Sequence, residues 1–166
     1  MQLEELFDYK NLLMKELCSN EAIVRLLSQQ DDPQVPNYDL PYTQIYPFEY
    51  VPETEDKGRS FICFEVDIHK VENKTFYIPV IYVWVIVHKG SLRTKDKRLR
   101  LDELTVEVNK ILNGSRYFGL GAVELDSTEG FHPTVDYLGR VLVYYAADFN
   151  QPSGRRKMPA NRKIGV

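Results

Sequence analysis

Two cysteines in 166 residues, Cys18 and Cys63, are too few for a disulfide framework or a four-thiolate metal site. A single bridge between them stays open, but two reduced, packed thiols are the plainer reading. His69, His88 and His132 fall in no HxH or HExxH spacing, and no CxxC occurs. No serine sits in a GxSxG elbow. Gly119-Leu120-Gly121 lacks the third glycine of a dinucleotide fingerprint and precedes a strand pattern, not a helix. Long hydrophobic runs are missing as well: residues 77–87 make only about half of the ~20 apolar residues a membrane helix needs. Residues 1–17 carry acids and no apolar h-region, so no secretory signal is expected. The sequons at Asn73 and Asn113 then read as turn chemistry. No metal, cofactor or catalytic activity is expected.

Net charge is −3, so no general excess of positive charge points to nucleic acid. The charge is uneven. Arg155, Arg156, Lys157, Arg162 and Lys163 lie in residues 151–166, with no acid. Subtracting those five positive charges leaves −8 on residues 1–150. One α+β domain over residues 1–150 and a basic C-terminal tail over 151–166 are expected. From residue 151 on, no hydrophobic periodicity survives, as in a flexible or partner-ordered segment.

What is present is a pair of strand patterns between Ser60 and His88. Ile62, Phe64, Val66 and Ile68 alternate with Cys63, Glu65, Asp67 and His69, the period of a strand with one wet face. A polar turn follows at residues 72–75. In residues 76–88, Val80, Tyr82, Trp84 and Ile86 take one face and Ile81, Val83, Val85 and Val87 the other. A strand apolar on both faces is central or meets protein on both sides. One sheet face is therefore expected to pack on the domain's own helices, and the other to meet something else at this strand. Glu65 and Asp67 stand about 7 Å apart by strand geometry. As a carboxylate pair they read as plain surface rather than as an acid–base site.

Two further strands are expected, over residues 122–129 with Val123 and Leu125 inward, and over residues 140–148 with Val141, Val143 and Tyr145 against Leu142 and Tyr144. Residues 130–133 and 136–139 read as loop and turn. The sheet is thus four-stranded, mixed or antiparallel, with helices on one face. Residues 3–28 read as helical, with Leu3, Leu6, Leu13 and Leu17 near one face, Phe7 and Met14 beside it, and Ser19 or Asn20 capping a second short helix. Residues 101–113 form the best-marked helix, with Leu101, Leu104, Val108, Ile111 and Leu112 on one side and Asn113-Gly114 as its stop.

Two segments are candidate contact surfaces. Residues 31–52 interleave five prolines with Tyr38, Tyr42, Tyr46, Phe48 and Tyr50. Proline restricts this stretch to an extended arm, and aromatic rings seek a surface, either the chain's own sheet or a neighbouring subunit. The second is the basic run Lys89, Arg93, Lys95, Lys97, Arg98 and Arg100, opposed by Asp96. It can be solvated, or dock on an acidic protein surface or on phosphates.

The order of these pieces carries a resemblance. An N-terminal helix is followed by Ile45-Tyr46-Pro47-Phe48-Glu49-Tyr50-Val51-Pro52 and Phe61-Ile62-Cys63-Phe64-Glu65-Val66-Asp67. Then come a long apolar strand ending Val87-His88-Lys89, a helix closing at Leu112-Asn113-Gly114-Ser115, Gly119-Leu120-Gly121, and a last strand running into Asp148-Phe149-Asn150. Over residues 3–150 this resembles the tail-terminator and neck proteins of tailed bacteriophages and prophages of Gram-positive hosts.

The resemblance implies a structural virion protein, assembled in the host cytoplasm and ending in the tail or neck. It implies a hexameric ring that ends tail-tube growth and joins the tail to the head connector, with no catalytic motif. The expected partners are further copies of itself, the tail tube protein, the connector or stopper protein and the sheath. Its sheet would lie towards the ring interior, making Glu65 and Asp67 lumen candidates past which DNA slides without specific binding. Tyr42, Tyr46, Phe48, Tyr50, Lys89, Arg93, Lys97, Arg98, Arg155 and Arg156 are the candidate subunit or partner contacts. The alternatives are another neck ring such as a head-completion or stopper protein, a non-viral intracellular binding module using the aromatic arm, and a nucleic-acid-binding accessory protein using residues 89–100 and 151–166.

Overall fold

Strict alternation from Phe61 onward builds the sheet. The computed structural model describes residues 4–28, 39–53, 58–70, 77–118 and 121–146. Strand β2 (Phe61–Lys70) pairs antiparallel with β3 (Tyr77–His88), setting Cys63 opposite Trp84 and Asp67 opposite Val80. Strand β5 (Tyr137–Ala146) pairs with the other side of β3, and β4 (Val123–Phe131) pairs with β5 as the outer edge. A short β1 (Ile45–Tyr46) runs parallel to β2, so the spatial order is β1-β2-β3-β5-β4.

The sheet is mixed and helix-backed, as the sequence implies, but it has five strands where four are expected. The fifth is the aromatic arm, which comes alongside β2 between two prolines. Gln44 O accepts from the Ile62 N–H at 2.8 Å, and Ile45 and Tyr46 face Ile62 and Cys63. Pro47 then has no N–H to offer, and the pairing ends.

The expected turn at residues 136–139 is also corrected: β5 already begins at Tyr137, and β4 runs on to Phe131. The reason is Gly139. A Cβ there would stand 2.4 Å from the Phe131 ring, so the missing side chain lets that ring lie across the strand.

Three helices cover one sheet face. In α1 (Glu4–Ser19) and α2 (Glu21–Ser28) the buried residues are Leu13, Leu17, Ile23 and Leu27. Asn20 caps α2, its Oδ1 accepting from the Ile23 N–H at 3.0 Å. Phe7, expected beside the apolar stripe, is 68% exposed, because it sits one residue round the helix from Leu6. In α3 (Arg100–Leu112), Leu101, Leu104, Val108 and Leu112 are buried, and Gly114 follows with a positive φ of 81°. These residues meet Ile62, Phe64 and Val66 of β2, Ile81, Val83, Val85 and Val87 of β3, and Leu142 and Tyr144 of β5 in one core. The Tyr144 hydroxyl donates to Asn109 Oδ1 of α3 at 3.2 Å, and burial pushes its pKa up.

The turn at residues 72–75, the first part of the arm, and the basic tail with Arg155 and Arg156 lie outside the described residues.

Because the Phe131 ring occupies the space above Gly139, Gly139→Ala should lower stability by about 1–3 kcal/mol through overpacking. Combining it with Phe131→Ala should cost less than the sum of the two single losses, since the second change removes the clash. Thermal denaturation of the four proteins measures this.

Candidate functional site

The sheet's second face divides into a covered end and an open end. At the covered end the arm folds back. Tyr46 and Tyr50 stack with centroids 4.1 Å apart, and both rings pack on Phe61, at 6.3 and 5.3 Å. Phe61, Cys63, Ile86 and Tyr137 are buried beneath them. Cys63, expected on a wet face, is therefore inside. Its thiol lies 3.9 Å from Tyr50 O, and burial pushes its pKa up to about 12. Both cysteines are free thiols, and Cys18 donates to Met14 Sδ across 3.7 Å.

At the open end, Val80, Val141 and Val143 are screened by the half-buried rings of Tyr82, Trp84 and Tyr145. Tyr82 and Trp84 stack at 5.9 Å, and His69 meets Tyr145 edge-on at 6.4 Å. The strand register places Asp67, Glu124, Ser127 and Glu129 on the same face. A bulge between Leu125 and Ser127 inserts Asp126. Burial first, then the nearby Tyr82 and Asp126, push the Tyr145 pKa up. Apolar rings and valines ringed by carboxylates form a surface suited to protein contact, with its polar residues at the rim.

A second candidate surface lies in the helical layer. The basic run folds into a short hairpin: Arg93 bridges to Leu99, Thr94 N–H donates to Arg98 O at 2.9 Å, and Lys97 takes a positive φ of 61° at the tip. With α2 and α3 it frames a groove of about 950 Å³. Leu99 and Val106, 43% and 51% exposed, contribute apolar surface to it; Arg25, Arg93, Lys95 and Arg98 contribute positive charge, and Asp96, Asp102, Glu103 and Glu107 contribute negative charge, with Arg98 3.8 Å from Glu103. Arg100 builds this groove rather than lining its mouth: Nε donates to Ser91 O at 2.9 Å, and Nη1 donates to Leu26 O.

The remaining candidates are dispersed. Tyr42 (64% exposed, φ 59°) and Phe48 (43% exposed) are the arm's outward rings, whereas Tyr46 and Tyr50 lie against the sheet. Lys89 is held to the β4–β5 connection, its Nζ donating to Val135 O and its N–H to Asp136 O at 2.9 Å. Glu65 forms an ion pair with Lys10, which also reaches Pro47 O at 3.3 Å; Asp67 is exposed. The two lumen candidates thus differ: one closes the join between α1, the arm and β2, and the other faces outward. Asp126 and Glu129 stand outside the sequence candidates, although residues 123–131 hold five exposed acids or hydroxyls, Glu124, Asp126, Ser127, Thr128 and Glu129, and no base. Arg25 and Val106 carried no local signal, because only helix packing brings them to one groove.

A family model described as YomW matches residues 20–146, which takes in α2, the arm, the whole sheet and α3. No curated protein matches the chain.

The arm's packing predicts the behaviour of Cys63. Native protein should resist labelling of this thiol by a charged disulfide reagent at pH 8. Tyr46→Ala should lower stability by about 2–4 kcal/mol, in the range for truncating a packed aromatic ring, and speed Cys63 labelling well before global unfolding. Mass spectrometry of the labelled peptide separates it from Cys18.

Proposed function

We propose, for a chain that belongs to the YomW family and is phage-associated, as that family's phage- and prophage-derived name indicates, a structural role at the head-proximal end of a phage tail. On this reading it forms a ring, hexameric by resemblance to tail terminators, that ends tube growth and joins the tail to the head connector. Its partners are further copies of itself, the tail tube and the connector or stopper.

The observation that carries this reading is the open end of the sheet. The helices close one face, the arm closes half of the other, and the half-buried rings of Tyr82, Trp84 and Tyr145, over buried Val80, Val141 and Val143, are left for a partner. Obligate assemblies bury such aromatic surface, and a scaffold that presents it on a rigid five-stranded sheet fits a protein whose work is assembly. Exposed Asp67, on the β2 side of the sheet, repels phosphates, which suits a position beside a lumen through which DNA must slide.

Light scattering with negative-stain imaging tests the reading. Wild-type protein, alone or with tail tubes, should give rings near six times 19.4 kDa, and it should stop tube elongation. Trp84→Ala should stay folded as a monomer and lose capping. A chain that stays monomeric over a wide concentration range and leaves tubes growing would rule the tail role out.

A further inference from the structure

We infer that the groove between α2, the 93–99 hairpin and α3 receives the acidic β4 edge of a second copy of this chain. This inference rests on the ring reading above and names the contact that would build it.

The groove offers an apolar floor and a rim of mixed charge in which six basic residues outnumber four acids, Asp96, Asp102, Glu103 and Glu107. Leu26, Leu99 and Val106 supply the floor, and Arg25, Arg93 and Arg98 stand around it, Arg98 within 3.8 Å of Glu103. Exposed apolar side chains beside guanidinium groups suit a protein partner that brings carboxylates and some apolar surface.

Strand β4 has that chemistry. It is the outer strand of the sheet, so its far edge has no neighbouring strand in the described chain. Glu124, Asp126 and Glu129 are exposed along it, and no basic residue lies between Val123 and Phe131. None of the three carboxylates has an ion-pair partner among the described residues.

Other pairings of this edge are disfavoured by charge. Two β4 edges laid together would set acids beside acids, which destabilises a ladder. The opposite edge of the sheet, β2 beyond its two-residue pairing with β1, carries exposed Asp67, which repels β4 in the same way, and Glu65, which Lys10 already pairs. The complementary surface is the groove, whose lining carries more basic than acidic residues.

One chain cannot make this contact with itself at the acidic start of β4. The hairpin leads into the N-terminus of α3, whereas Gly114, just past its C-terminus, bonds to Val123 at the start of β4. Thirteen helical residues separate the two ends, about 20 Å at 1.5 Å per residue. The contact is therefore heterologous, groove to edge, and such contacts generate rings when the rotation closes.

The test is a charge swap. One variant carries Arg93→Glu and Arg98→Glu; the other carries Glu124→Lys and Asp126→Lys. Circular dichroism melts check that each is folded. Light scattering, alone and on tail tubes, then reads assembly. Each variant alone should need about tenfold or more higher concentration to assemble than wild type. An equal mixture should recover assembly, since each groove then meets an edge of opposite charge, and one chain carrying all four changes should recover it too.

Assembly of both single-surface variants at the wild-type concentration, or failure of both the mixture and the fourfold variant to recover, overturns the contact. If those variants still cap tubes, the tail role stands without it. Wild-type protein that neither assembles nor caps overturns both. Salt-dependent binding of duplex DNA that is lost with Arg93→Glu and Arg98→Glu, while rings persist, would reassign the groove to phosphate.

Discussion

Two carbonyls in the last turn of α2 hold the helical layer to the sheet. A helix leaves its final carbonyls without partners, and here they are met by side chains from distant parts of the chain. Gln44, fully buried in the arm, donates from one Nε2 to Leu27 O at 2.9 Å and to Ser60 O at 2.8 Å, tying α2 to the start of β2. Arg100, opening α3, reaches Leu26 O with one nitrogen and Ser91 O with another. Burial lowers the Arg100 pKa while Glu103 opposes the shift, so the guanidinium remains a charged clamp. Each such bond is worth about 1 kcal/mol net, but leaving a buried carbonyl bare costs about 1–3. Gln44 Oε1 and Ser60 Oγ are themselves buried with no partner among the described residues, so the clamp works against a desolvation penalty of its own.

The position of α2 has consequences at both surfaces. On the helical side it supplies one wall of the groove, whose other walls are the hairpin and α3. On the sheet side, the residue that holds it, Gln44, directly precedes β1, and β1 delivers Tyr46 and Tyr50 over Phe61 and Cys63. Pairing of α2 with the arm thus decides where the sheet's second face is covered. Trp84 packs against both ends, the cover stops short of Tyr82 and Tyr145, and the open end is what remains.

Much of the fold is legible from periodicity. The alternation of residues 61–69, the two apolar faces of residues 78–87 and the stripe of α3 follow from single-residue geometry, and each holds in three dimensions. The misses are of another kind. Strand β1 is two residues long, below any period a pattern can register, and exists because Ile62 offers an N–H to Gln44 O. The start of β5 reads as a turn because Gly139 reads as a turn residue, whereas its role is to admit the Phe131 ring. Cys63 falls on the polar side of its strand by alternation and is buried because rings seventeen and thirteen residues earlier in the chain cover it.

The sequence alone determined that the central strand is apolar on both faces, that residues 89–100 are basic, and that the arm carries rings which must find a surface. Those properties depend on side-chain type and on the periods of strand and helix, which are local. Which rings turn inward, which carboxylate pairs with Lys10, and which basic residues share a groove with Val106 were decided by tertiary structure. Such choices depend on the meeting of segments far apart in the chain, and the free energy of that meeting comes from burial and satisfied hydrogen bonds that no single segment possesses.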